Sequence, residues 1–225
     1  MPDRPRVLEI GCGNGGMLAV LAAACPGARV VGMDLFGEGL QGAERPAALV
    51  RADAVAPPFR AAFDLVGLFD VIEHVPDDLT VLRQARALLA PGGWLVLTVP
   101  GHPALWSYAD EASSHFRRYT RSGLERLLAE AGYVADYVTH FMTAVAPLVW
   151  LHRRLAPVAA RVSGRAAGHG ALARAELRVP GPLNRLLGLA CAPERALIER
   201  RWRLPIGTSI AALARPITPP ATASH

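Results

Sequence analysis

Val7-Leu8-Glu9-Ile10-Gly11-Cys12-Gly13-Asn14-Gly15 is the stretch that decides the fold of this chain. A short β-branched and leucine-rich strand signal runs into three glycines at alternate positions, and a helix pattern follows. Such a turn brings the backbone closer to a ligand than any side chain would allow. The spacing Gly11, Gly13, Gly16 also satisfies G-x-G-x-x-G, which alone separates dinucleotide sites poorly from other sites. Glu9 adds the discriminating charge. A pyrophosphate wants bare amides and positive potential, so a carboxylate at the strand end points to a ligand that carries an amine or a sulfonium.

Strand and helix signals alternate away from this turn. Strands are expected at Arg6–Ile10, Arg29–Asp34, Ala48–Arg51, Phe63–Leu68, Gly93–Val99 and Tyr133–Thr139. Helices are expected near Met17–Ala24 and Leu79–Leu89, the second ended by Pro91-Gly92-Gly93, and from a Ser122 cap to Ala131, with Gly132 just past its end. Alternation of this kind gives an α/β, doubly wound, Rossmann-like sheet with its ligands at the carboxyl ends of the strands. Residues 141–205 break the pattern. They are rich in Ala, Leu, Arg and Pro and read as several short helices interrupted at Pro147, Pro157, Pro180-Gly181-Pro182 and Pro193, before a last strand at Thr208–Ala214. Residues 1–215 are expected to form one domain, and residues 216–225 a disordered tail.

Composition narrows the class. The 225 residues are 52% hydrophobic, enough for one good core. Cys12, Cys25 and Cys191 are scattered without metal-ligand spacing, and Cys12 reads as a small packing residue. No apolar run reaches membrane-spanning length and no leader pattern opens the sequence, so a cytoplasmic protein is expected. All 24 basic residues are arginine. Between residues 152 and 203 eleven arginines face three glutamates, a local balance of +8 against +5 for the chain. That segment suits a solvated arginine face, an anionic acceptor or a peripheral membrane contact at the inner membrane surface. Nucleic acid is disfavoured, because aromatic and basic residues do not interleave. Oligomeric state leaves no signature here.

Four acids fall at successive strand ends: Glu9, Asp34, Asp53 in Arg-Ala-Asp-Ala, and Asp70 in Leu-Phe-Asp-Val-Ile-Glu-His-Val. A doubly wound sheet brings all four to one cleft. Together with Gly-Met-Asp and Leu-Leu-Ala-Pro-Gly-Gly-Trp-Leu-Val-Leu, this ordered set resembles the class I S-adenosylmethionine-dependent methyltransferases over about Arg6–Thr139. The resemblance implies a seven-stranded sheet whose last strand lies antiparallel beside strand five. It implies S-adenosylmethionine held by Gly11, Cys12, Gly13, Asn14 and Gly15 at the methionine moiety, with Glu9 near the amine. Asp34, with Leu35 beside it, would meet the ribose. Asp53 and the Ala54 amide would meet the adenine, and Phe69, Asp70 and Val71 would line the methionine side.

Residues 105–120 follow strand five and should roof the acceptor side. They resemble a Trp-Ser…His-x-Arg-Arg-Tyr-Thr segment of small bacterial methyltransferases, which nominates Trp106, Tyr108, His115, Arg117, Arg118 and Tyr119 for acceptor binding. Arg117 and Arg118 offer guanidiniums to an anion or, alternatively, pair with Asp110 or Glu111 and fix the loop. If a base acts, His74 and His115 are the candidates. The seven histidines lack paired zinc spacing, so no metal is expected. Because no helix pattern precedes strand one, the insertion 141–205 is expected to supply the lid and much of the acceptor pocket. The resulting reading is methyl transfer to an O, N or C nucleophile of a small-molecule or lipid-like acceptor in bacterial secondary or lipid metabolism. Its rivals are a nicotinamide-dependent reductase, disfavoured by Glu9 and by the absence of lysine, and a module that binds S-adenosylmethionine without catalysis.

Overall fold

Parallel strands β1 (Arg6–Ile10), β2 (Arg29–Asp34), β3 (Ala48–Arg51), β4 (Phe63–Phe69) and β5 (Leu89–Pro100) form most of one sheet. The computed structural model describes residues 2–37, 47–162 and 181–217, and excludes the side chains of 156–162 and 182–184. β6 (Tyr133–Phe141) and β7 (Ser209–Pro216) complete the seven strands in the order β3-β2-β1-β4-β5-β7-β6, with β7 antiparallel to both neighbours. The order reverses beside β1. A crevice therefore opens where β1, β2 and β4 end, the place where such sheets bind ligands.

The central strands β1 and β4 bury both faces, so two cores form. Leu8, Ile10, Val66, Leu68, Leu95 and Leu97 join the larger one, together with Val81, Leu82 and Ala85 of α2 (Asp78–Leu88) and Leu124 and Leu128 of α4 (Arg121–Glu130). Val7, Val30 and Leu65 point the other way and meet Leu18 and Leu21 of α1 (Gly16–Ala24). A short helix, α3 (Tyr108–Ala112), lies between β5 and α4.

Four features differ from expectation. The cap of α4 is Thr120, whose hydroxyl accepts from the Gly123 amide at 3.0 Å, and not Ser122, which lies inside the first turn. Pro91-Gly92-Gly93 ends no helix. It forms an irregularity within β5, which begins at Leu89 and resumes pairing at Trp94. The prolines do not break the insertion into short pieces, since α5 (Ala146–Val162) runs through Pro157 and α6 (Gly181–Glu199) through Pro193. Pro147 falls in a first turn, where the missing N–H has no partner to lose. At the other two positions, the strong helix formers on either side outweigh a forfeited hydrogen bond. Pro216 belongs to β7 and the Ile217 amide donates to the Gly132 carbonyl at 2.8 Å, so the tail does not start at 216. Residues 218–225 and the middle of the insertion, 163–180, lie outside the described residues.

Candidate cofactor and acceptor site

The glycine turn is pinned from beneath. Gly11 and Cys12 both donate their amides to the Met33 carbonyl, at 2.7 and 3.1 Å, and the Gly13 amide donates to Asp34 Oδ2 at 2.8 Å. Gly11 has φ +75, and a Cβ there would lie 2.5 Å from Val71 Cγ2. Only glycine fits that crossing. At Gly13 (φ +48) a Cβ would meet nothing within 4 Å, which leaves the outer side of the turn open to a ligand. Gly15 enters α1 at φ 82, and Asn14 accepts from the Gly16 amide.

Glu9 lies under this turn, 2% exposed, between Gly32 and Gly67 of the adjoining strands. Its Oε2 is buried without a hydrogen-bond partner. Burial, and then the nearby Asp34 charge, push its carboxyl up to about 7 from an ordinary 4.5. The folded chain therefore holds this proton more tightly than the unfolded chain. Stability from that difference is fully present below pH 4.5 and is lost as pH rises to about 7. Glu9→Gln should remove the dependence and be the more stable protein at pH 8, by about 3 kcal/mol. Thermal melts of both proteins between pH 5 and 8 test this, and parallel curves would refute it. The same burial and charges push the Cys12 thiol up to about 12, so it packs rather than reacts.

A cavity of about 350 Å³ opens above the strand ends. Gly11, Asp34, Leu35, Asp53, Ala54, Asp70, Val71 and His74 line it, joined by Ile10, Met33, Phe36, Ala52 and Val75, which the motifs did not nominate. Strand alternation carries the signal for Ile10 and Met33, whose side chains share the face that ends at the cavity. Asp34 also accepts from the Phe36 amide at 2.8 Å, and Asp53 from the Val55 amide at 3.0 Å. Asp70 adopts φ +53 and accepts from the Thr98 hydroxyl at 3.2 Å; burial raises its pKa. Phe69 does not line the cavity. Alternation along β4 turns its ring to the α1 side, against Gly67.

The 105–120 segment is anchored mainly by its own charges. Asp110, 1% exposed, accepts from the Ser107 amide at 3.0 Å and holds His115 Nδ1 at 3.0 Å, with Arg118 at 3.4 Å and Arg153 of α5 at 3.6 Å. Burial opposes its charge, but His115 and both arginines hold its pKa below the ordinary carboxylate range. Arg118 thus takes the loop-fixing role. Arg117 is also paired, but with Asp78 at 2.7 Å rather than with Asp110 or Glu111. Tyr119 donates to the same carboxylate at 2.8 Å, and Tyr108 meets His152 of α5. Trp106 lines a small separate cleft with Trp150 and Arg154. Among the six acceptor nominees, His115 meets a cavity-lining residue. Its ring stacks edge-on against His74, with centroids 4.6 Å apart. Burial, then His115, lowers the His74 pKa, so that imidazole is neutral near pH 7.

The family described as methyltransferase domain matches residues 1–138. The chain belongs to that family. Its strand order, with β7 antiparallel, is that of the class I S-adenosylmethionine-dependent methyltransferases. S-adenosylmethionine is the cofactor of these enzymes, and an open glycine turn above an unpartnered buried carboxylate fits it. Relatives of this chain include the ubiquinone biosynthesis O-methyltransferases of Leptothrix cholodnii (35% identical, 43% of this chain and 44% of the relative) and Burkholderia pseudomallei (30%, 56% and 63%). The chain spans less than two thirds of the length of either. Similar solved structures include phosphoethanolamine N-methyltransferase 2 of Haemonchus contortus in complex with S-adenosyl-L-methionine (TM-score 0.60, 19% identity, 97% of this chain and 50% of that one). Another is the cyclase SpnF (TM-score 0.59, 17% identity, 96% and 76%). At such identities they share the fold.

Proposed function

We propose that the chain transfers a methyl group from S-adenosylmethionine to an oxygen nucleophile of a small, apolar-tailed acceptor. The observation that carries this reading is the convergence of Gly11 at the start of the glycine turn, Asp34, Asp53 and Asp70 on one cavity. The cofactor supplies a methyl group on a sulfonium, a leaving arrangement that needs alignment more than acid or base help. Asp34 presents its remaining lone pairs to a diol while it ties down the turn. Asp53 and the Ala54 amide offer an acceptor and a donor to a heteroaromatic edge. Neutral His74 stands at the cavity wall, able to take the acceptor's proton.

Two features support an apolar acceptor. A second cavity of about 400 Å³ lies between α6 and the sheet, lined by Phe141, Met142, Cys191, Ile198 and Ala211 as well as Thr98, with Glu194, Arg195 and Glu199 of α6 also lining it. Thr98 bonds Asp70, so this cavity adjoins the cofactor cavity. Helices α5 and α6 also leave Leu148, Trp150, Leu151, Leu155, Leu186 and Leu189 exposed, beside Arg153 and Arg154. No helix among the described residues is long and apolar enough to cross a membrane. A cytoplasmic enzyme whose insertion rests on the inner membrane surface, and lids the acceptor pocket, is consistent with that surface. The names of the ubiquinone relatives favour oxygen over nitrogen as the nucleophile.

Calorimetric titration with S-adenosylhomocysteine, with NADH and NADPH alongside, tests the cofactor. Micromolar affinity for the first alone is expected, and binding only to a nicotinamide nucleotide would overturn the reading. Turnover with lipophilic phenols, traced by labelled methyl, then tests the acceptor. Binding without turnover on phenol, amine or carbon acceptors would favour the non-catalytic module.

A further inference from the structure

Glu73, His74 and His115 each offer a ligand atom, and these atoms lie within 4.8 Å of one another. Glu73 is fully buried, and neither carboxylate oxygen has a hydrogen-bond partner. A bare buried carboxylate is costly unless something cationic meets it. Burial pushes its carboxyl up to about 8, and Asp70 and Asp110 add to that push while Arg118 opposes it. His115 Nδ1 faces Asp110 Oδ1 at 3.0 Å. That imidazole therefore has one nitrogen committed to a carboxylate, which fixes its tautomer and leaves the other nitrogen to bind. Metal-ligating histidines are oriented in this way, by a partner behind the ring.

We propose that Glu73, His74 and His115 bind one divalent transition-metal cation at the edge of the cofactor cavity. Two imidazoles and one carboxylate suit zinc-like ions, whereas magnesium and calcium favour all-oxygen sets. His spacing along the chain gave no hint of the site, because Glu73 and His74 follow β4 while His115 arrives on the segment after β5. The backbone joins the two segments, with the Phe116 amide donating to the Glu73 carbonyl at 2.8 Å. Three protein ligands leave positions open, and His74 and Asp70 both line the cavity. An acceptor oxygen could occupy one of those positions and be made more acidic there, which would replace proton transfer to a metal-free His74. That use of the site rests on the methyl-transfer reading, whereas cation binding does not.

Equilibrium dialysis of untagged, chelator-stripped full-length protein against Zn²⁺, Co²⁺ and Mg²⁺ tests the proposal. One equivalent of Zn²⁺ is expected, with Co²⁺ giving a visible absorption band of low coordination. Glu73→Gln and His115→Ala should each weaken Zn²⁺ uptake at least tenfold. Asp110→Asn, which meets only His115 among the three ligands and from behind its ring, should weaken it about 10- to 100-fold. His102→Asn, at an unrelated histidine with φ +55, should leave uptake unchanged. Far-ultraviolet circular dichroism of every variant separates lost ligation from lost folding, and Glu73→Gln preserves shape. Absence of uptake by the wild type, preference for Mg²⁺, or full Zn²⁺ uptake by a folded Glu73→Gln would each overturn the proposal. Titration with S-adenosylhomocysteine beside it keeps the two readings distinct. Zn²⁺ uptake without cofactor binding would uphold the metal site and remove the transferase.

Discussion

Asp34→Ala is expected to weaken S-adenosylhomocysteine binding about a thousandfold, or about 4 kcal/mol, while leaving the apo fold intact. Its carboxylate does two jobs. Oδ2 anchors the Gly13 amide and Oδ1 the Phe36 amide, so the open turn and the wall beside it share one tether. Hydrogen bonds to a charged group are worth about 1.5–3 kcal/mol each. Losing both lets the turn drift just where a ligand needs fixed amides, and the groups facing the ribose go with them. Removing Asp34 also relieves Glu9, whose carboxyl it helps to push up, and this offsets part of the stability lost with those bonds. Asp34→Asn offers one carbonyl oxygen to two amides and should fall between. Calorimetry with melts alongside checks the pair. An alanine variant that binds within threefold of wild type would show that the acid at the end of β2 does not hold the ligand.

Asp110→Ala should be the most destabilising single change in the 105–120 segment. The carboxylate is buried and shared by His115, Arg118 and Arg153, with the Arg118 side chain itself only 5% exposed. Removing it leaves clustered cations without their counter-charge. Breaking a buried pair from one side typically loses about 3–5 kcal/mol. For a chain of this size the midpoint should drop by roughly 10 °C. Replacing Arg118 with Met in the same protein removes the stranded charge and should return part of the loss. A drop below about 2 °C in the single variant would mean that the arginines find solvent, and that the ion cluster is not what holds the loop.

Much of the fold was legible because its signals are local. β1, β2 and β3 begin and end where alternation and β-branching indicate. The acids at successive strand ends gather as sheet topology requires, and Asp34, Asp53 and Asp70 line the cavity. What sequence missed depends on contacts between distant segments. Nothing near Arg117 in the chain announces Asp78, and nothing around His115 announces Glu73 and His74. Phe69 was assigned to the cavity by its place in a motif, yet strand alternation alone would have sent it to the opposite face. Proline punctuation misled for a related reason, because helix propensity summed over α5 and α6 exceeds the penalty at one residue.

The order of strands has a consequence for biosynthesis. β7 pairs with β5 on one side and with β6 on the other, so β6 has no sheet neighbour until residues 209–216 exist. On the ribosome β1 to β5 can associate as they emerge, but β5 presents an unsatisfied edge while more than a hundred further residues are made. An unpaired strand edge invites association with other chains. Completion depends on the most sequence-distant pairing in the sheet, a contact that is slow to close. The cofactor cleft, built from β1 to β4, is finished long before. Cofactor captured at that stage would hold the early half together while the late strand is still being translated.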